Sequence, residues 1–198
     1  MRIGIDVGGT NTDAVLMDGT TLIAQKKSPT TPDITSGILS SIESVINDGP
    51  KDTKNSLQAI MLGTTHFTNA LLEKRGLSPT GVLRLCLPAT TLLPPLVDWP
   101  EDLKSAIGGS HFFVPGGHEF DGREIAAIDR KSIVESAKKM KKTGIEALTI
   151  SGVFSPVSNS HEKVAQEIIK EEYPELNITL SSEIGRIGIL ERENAGAL

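Results

Sequence analysis

Three short β-prone runs lie early in the chain: Arg2–Val7, in which apolar Ile3, Ile5 and Val7 recur at every second position, then Thr12–Met17 and Thr21–Lys27. Gly8-Gly9 and Asp18-Gly19 separate them, so the pattern predicts three short strands joined by tight turns, an antiparallel meander. From residue 34 the period changes. Ile34, Ile38, Ile42, Val45 and Ile46 fall on one side of a helical repeat, with Thr31 as N-cap, Pro32 at the first helical position and a stop near Gly49-Pro50. Leu57–Leu62 is an apolar run that meets Gly63-Thr64-Thr65, and Phe67, Ala70 and Leu71 then recur helically up to Gly76. A strand therefore feeds a turn and then a helix.

Thr80–Leu87 predicts a further strand, whereas the stretch from Pro88 to Gly109 holds Pro88, Pro94, Pro95 and Pro100 without a sustained period, which fits a long loop or a small subdomain. His111–Val114 and His118–Phe120 flank Pro115-Gly116-Gly117 as a predicted hairpin. Asp129 is placed to cap a helix carrying Ile133, Ala137 and Met140 and stopped by Gly144, ahead of an apolar strand from Ile145 to Ser151. A last helix with Val164, Ala165, Ile168 and Ile169 precedes Pro174, and Ile178–Leu180 returns as a strand. This alternation predicts an α/β architecture: residues 1–87 as a first subdomain, 88–128 as a proline- and glycine-rich insert, and 129–198 as an α/β continuation that stops short.

Composition narrows the chemistry. With 198 residues and 38% hydrophobic content the chain can bury a real core. Twenty basic and twenty-five acidic residues give a net charge of -5 without long runs, so no basic face invites nucleic acid or anionic lipid, and small-molecule chemistry remains. The lone Cys86 sits in an apolar run and reads as a buried structural thiol. The start carries no signal-peptide stretch and no segment approaches the ~20 apolar residues of a membrane span, so the expectation is a cytoplasmic protein. Lys138, Lys139, Lys141 and Lys142 fit a solvated helix face, and Trp99 fits a packing role. His111, His118, Glu119 and Asp121 could ligate a metal, but the HExxH spacing is missing and zinc is not assigned.

The stretch Ile3-Gly4-Ile5-Asp6-Val7-Gly8-Gly9-Thr10-Asn11-Thr12-Asp13 carries the strongest chemical signal. A strand ends in a carboxylate and bends through two glycines into hydroxyl and amide side chains, a set that suits a phosphate: backbone N–H groups of the bend, with Thr10, Asn11 and Thr12 as donors. Asp6 and Asp13 offer hard oxygens of the kind Mg2+ takes beside a phosphate. No GxxxxGK[ST] occurs. Thr64 and Thr65, at a strand-to-helix junction, could hold an anion or a polarised carbonyl with Asn69, or could simply cap the helix.

These residues carry a family resemblance. IGIDVGGTNTD resembles the first phosphate loop of the actin-like ATPase superfamily, and Gly63-Thr64-Thr65-His66-Phe67-Thr68-Asn69-Ala70-Leu71-Leu72-Glu73-Lys74-Arg75-Gly76 resembles a stretch of the hydantoinase A and oxoprolinase family. The likeness continues at Pro115–Glu124, Ser151–Pro156 and Leu190–Asn194. It implies an actin-like (ribonuclease H-like) lobe with a mixed sheet, the amino-terminal meander and flanking helices, plus a second small α/β portion. It further implies an ATP- and Mg2+-using enzyme that opens a cyclic amide after phosphoryl activation. Asp6 would hold Mg2+, and Gly8, Gly9, Thr10, Asn11 and Thr12 would bind nucleotide phosphate. Asp13, Thr64, Thr65 and Asn69 would complete the catalytic cleft. The family's second phosphate loop and its GRQ-type segment are absent from the sequence, so the chain is expected to be a fragment that acts with a carboxy-terminal lobe, in a homo- or hetero-oligomer. The competing readings are a small-molecule kinase with the same first loop and a non-catalytic scaffold or subunit-contact module.

Overall fold

Ile3, Ile5 and Val7 alternate with Arg2, Gly4 and Asp6 along β1 (Arg2–Val7), and the first set is buried. Thr12, Ala14 and Leu16 do the same along β2 (Asn11–Asp18), which runs antiparallel to β1 with Ile5 opposite Ala14. β3 (Thr21–Pro29) completes the meander through a turn in which Gly19 takes a φ of +56. The apolar side is covered by α1 (Ile34–Asn47), which supplies Val45 and the partly buried Ile34, Ile38, Ile42 and Ile46. Its N-cap is Asp33, whose carboxylate accepts from the Ser36 N–H, and not Thr31; the Thr31 hydroxyl instead donates to the Asp33 carbonyl and holds the approach to the helix. After the single turn α2 (Thr53–Ser56), β4 (Ala59–Thr64) joins parallel to β1, giving the order β3-β2-β1-β4.

β4 and the following α3 (His66–Glu73) are unusual in burying nothing. All six residues of β4 are exposed, Ile60, Met61 and Leu62 by about half, and α3 has no buried residue.

The computed structural model describes all 198 residues and divides them into two compact units, Met1–Glu73 and Lys74–Leu198. The second is built on β5 (Thr80–Leu87), α4 (Glu101–Ile107), β6 (Ser110–Pro115), α5 (Arg130–Thr143), β7 (Ala147–Gly152), α6 (Ser160–Glu172), β8 (Asn177–Leu180), α7 (Ser181–Ile184) and α8 (Ile189–Ala197). Its four strands are all parallel, in the order β6-β5-β7-β8. A strand with helices on both sides reads as a continuous apolar run, as β5 does. One face packs Leu83, Leu85 and Ile150 against α5 and α6, and the other packs Val82 against Ile107 of α4 and Ala197 of α8.

The α/β class, the mixed first sheet with its meander and the second α/β portion are as expected. The boundaries differ. β5 belongs to the second sheet, so the division falls after Glu73 and not at residue 87, and α4 and β6 make the stretch 88–128 part of that sheet. Residues 111–120 form no hairpin: β6 pairs parallel with β5, and His118 makes only an isolated bridge to Glu124. Cys86 is buried, and that burial pushes its thiol pKa up. No helix is long and apolar enough to cross a membrane.

Candidate functional site

The β1–β2 bend closes with the Gly8 N–H donating to the Asn11 carbonyl at 2.9 Å, so that N–H is occupied by the bend. Gly9 and Thr10 at its tip are exposed, and their N–H groups donate to no other protein atom. Thr12 is 3% exposed; its hydroxyl meets that of Thr30 at 3.2 Å, and Thr30 in turn donates to the Gly8 carbonyl at 2.8 Å. Gly8 and Thr12 thus hold the bend in shape, while Gly9, Thr10 and the half-buried Asn11 present it outward. Neither Gly8 nor Gly9 needs a left-handed backbone. What Gly9 provides is room, because a Cβ there would lie 3.1 Å from Nδ2 of Asn69.

That approach joins the two sequence motifs. β4 runs parallel to β1 with Asp6 beside Gly63 and Val7 beside Thr64, so the strand ends arrive together. The Thr65 N–H donates to the Val7 carbonyl at 3.3 Å. The Thr64 hydroxyl donates to Val7 O at 3.4 Å and accepts from the His66 N–H at 3.2 Å, which is the helix-cap role. Asn69 donates to the Thr65 hydroxyl at 3.4 Å, one turn into α3 and beside Gly9. His66, which no sequence pattern singled out, has an Nε2 shielded from water with no partner.

Asp6 and Asp13 are direct cross-strand partners. Like charges at such positions repel at ~5 Å or so between Cβ atoms, and one cation, Lys27 at 3.5 Å from Asp13, offsets them. Both carboxylates line an open cavity of about 400 Å3 with Gly4, Val15, Met61 and Gly63. The exposed Asp6 and the half-buried Asp13, with Lys27 as their one counter-ion on the far side of Asp13, fit a hard divalent cation, and the donor set is all oxygen.

A second cluster lies in the other unit. His118, Glu124 and His161 bring ligand-type atoms within 4.8 Å of one another, in place of the His111, His118, Glu119 and Asp121 group. Nδ1 of His161 accepts the Gly117 N–H at 3.0 Å, so the ring proton sits on Nε2 and is donated to Glu124 at 3.2 Å. A metal-bound histidine usually donates through its other nitrogen. Here that nitrogen accepts, so the arrangement favours a hydrogen-bonded support over a metal site.

Of the later segments, Phe120–Glu124 is exposed, whereas Ser151, Ser155, Arg192 and Glu193 are interior. Arg84 and Glu193 are fully buried and paired by two hydrogen bonds, from Nε and Nη2 of the guanidinium to the two carboxylate oxygens, and the Ser151 hydroxyl also donates to Glu193. Arg192 donates to the carbonyls of Gly152 and Ile187, each at 2.7 Å, and to the Ser181 hydroxyl at 3.1 Å. Glu162 accepts from the Gly152 N–H at 2.9 Å and from Ser181 and Ser182.

Residues 2–173 match the family described as the hydantoinase/oxoprolinase N-terminal region. The chain is 27% identical over 206 residues to the caprolactamase subunit alpha of Pseudomonas jessenii, covering 92% of this chain and 28% of that protein. It is 28% identical over 228 residues to the acetophenone carboxylase gamma subunit of Aromatoleum aromaticum, covering 99% and 30%. It therefore spans less than a third of the length of these curated relatives. Among solved structures, nucleotide-free acetone carboxylase aligns with a TM-score of 0.74 at 19% identity, over 98% of this chain and 31% of that one. The ATP-dependent caprolactamase from P. jessenii aligns at 0.71 and 24%, over 100% and 30%. At these identities the likeness establishes a shared fold.

Proposed function

The chain belongs to the hydantoinase/oxoprolinase N-terminal region family, and from that premise we propose that it forms the first phosphate-binding part of a longer, cytoplasmic, ATP-dependent enzyme that opens a cyclic amide. The observation that carries this reading is the convergence of Gly9 and Thr10, with free N–H groups, on Thr65 and Asn69, beside the Asp6–Asp13 pair. The bend's N–H groups and the Asn69 amide bind phosphate oxygens, which carry the charge that such donors stabilise best. Asp6 and Asp13 would hold Mg2+, which would neutralise phosphate charge. Thr64 caps α3, and Thr12 and Gly8 keep the bend fixed. Transfer of the γ-phosphoryl group of ATP to the lactam oxygen, with ADP leaving, makes the ring carbon a stronger electrophile: water adds to it, the C–N bond breaks as the ring nitrogen takes a proton, and the acyl phosphate left behind is hydrolysed to the open-chain acid and inorganic phosphate.

The remainder of the enzyme belongs to this proposal as well. β4 and α3 leave an apolar strand edge and a helix uncovered next to the bend, as expected where a further part of the polypeptide packs and completes the nucleotide site. In the full-length protein, Asp6→Ala is expected to abolish ATP hydrolysis without lowering the melting temperature, because Asp6 is exposed and its nearest charged neighbour across the strands, Asp13, has the same sign. Unchanged turnover in that variant would sink the assignment. A hydantoin or lactam that stimulates ATP turnover separates this reading from a kinase, for which a hydroxyl substrate is required.

A further inference from the structure

The strand order β6-β5-β7-β8 means that the connection through α4 leaves β5 in one direction and those through α5 and α6 run in the other. The reversal falls between β5 and β7. In open parallel sheets the loops part at such a point and leave a crevice outside the carboxyl ends of the strands. A crevice of about 210 Å3 lies there, lined by Thr90, Val153, Phe154, Ile187 and Ile189. Thr90 follows the end of β5 by three residues, and Val153 and Phe154 come directly after β7.

Its walls are held in conformations the chain would not choose freely. Thr90 and Phe154, both bearing side chains, have φ values of +56 and +49, the left-handed region that costs such residues free energy. Two fully buried arginines hold these loops. Arg84 donates to the carbonyls of Thr90 at 3.2 Å and Leu93 at 2.6 Å, which fixes one wall. Arg192 donates to Ile187 and Gly152, which fixes the opposite wall and the end of β7. The crevice is therefore preformed, as small-molecule sites usually are.

We propose that it binds a compact uncharged ring carrying at most one carbonyl or hydroxyl. The size follows from the volume, since a cavity of about 150 Å3 already accepts benzene. The charge follows from the lining, in which Thr90 is the one polar side chain. Neither arginine is free for an anion: Arg84 is paired with Glu193, and Arg192 is committed to backbone carbonyls. A carboxylate or ammonium would give up part of its water shell to apolar walls and gain no charged partner there. The site lies wholly in the second unit and does not depend on the phosphate-bend reading.

The test uses the 198-residue protein with 13C-labelled isoleucine methyl groups, titrated with cyclohexanone and separately with benzoate. Saturable shifts of Ile187 and Ile189 with cyclohexanone, and none with benzoate, are expected. Val153→Phe fills the crevice and is expected to weaken the response at least about tenfold; Ile189→Phe, read at Ile187, serves the same purpose if the first variant fails to melt cooperatively. The proposal is overturned if neither methyl shifts saturably, if benzoate acts equally, or if a folded filling variant responds as the parent does.

Discussion

Gly117 has a φ of +87, and a Cβ added to it would lie 2.6 Å from the Leu85 carbonyl oxygen. Gly144, at the end of α5, has a φ of +73 but nothing within 4 Å of such a Cβ. Both alanine variants incur left-handed strain of about 1–2 kcal/mol, while only Gly117→Ala also collides with backbone. Denaturant titration is expected to find Gly117→Ala at least twice as destabilising as Gly144→Ala, and equal losses would refute the contact. His118 illustrates a titration effect. Burial first, and the neighbouring His161 second, push its pKa below the ordinary 6.5, against the pull of Glu124. The unfolded chain then binds a proton that the folded one refuses, so this contribution is intact above pH 6.5 and is lost as pH falls below that value, levelling off below the folded pKa. The melting temperature of the parent should drop more between pH 7.5 and pH 5 than that of His118→Gln; parallel drops would remove His118 from the account.

At the scale of elements, α8 is joined to β5 and β7 by charge as much as by apolar contact. Removing one member of a buried ion pair strands the other and typically costs about 3–5 kcal/mol. Arg84→Met and Glu193→Leu are each expected to lose stability on that scale, whereas the double variant, which leaves neither charge unpaired, should recover much of it. Additive losses would argue against the pairing. These charges also explain why α8 escaped the sequence reading. Leu190-Glu191-Arg192-Glu193 looks like a solvated stretch, yet Arg192 and Glu193 are fully buried, so polarity there marks the interior. α5 was legible because Asp129 and Gly144 cap it and Ile133, Ala137 and Met140 keep its period. The hairpin expected around Pro115 was not, because turn residues state that a chain bends but not which strand it pairs with next. In the β1–β2 bend the motif marked the turn, while the division between Gly9 and Thr10 at the tip and Gly8 and Thr12 within it came from hydrogen bonds that no spacing encodes.

Across the whole molecule, the first unit contrasts with the second. In the second, both faces of the sheet are covered by helices, whereas the first carries Ile60, Met61 and Leu62 on an uncovered border strand. Exposed apolar edges pair with other chains unless a charge or a covering element prevents it. Ile60→Lys, which places a charge on that border away from the Asp6–Asp13 cavity, is expected to reduce concentration-dependent self-association in sedimentation velocity with little change in melting temperature. Identical association in parent and variant would show that the border is inert. The same strand bears on biosynthesis. Domains fold from the amino terminus as they leave the ribosome, at roughly 5–20 residues per second, and the first unit is complete once Glu73 has cleared the exit tunnel. From then until the segment proposed above to cover it arrives, its apolar border waits in water, and nascent chains on one polysome carry that border side by side. Soluble yield should therefore depend on how quickly translation proceeds beyond residue 73.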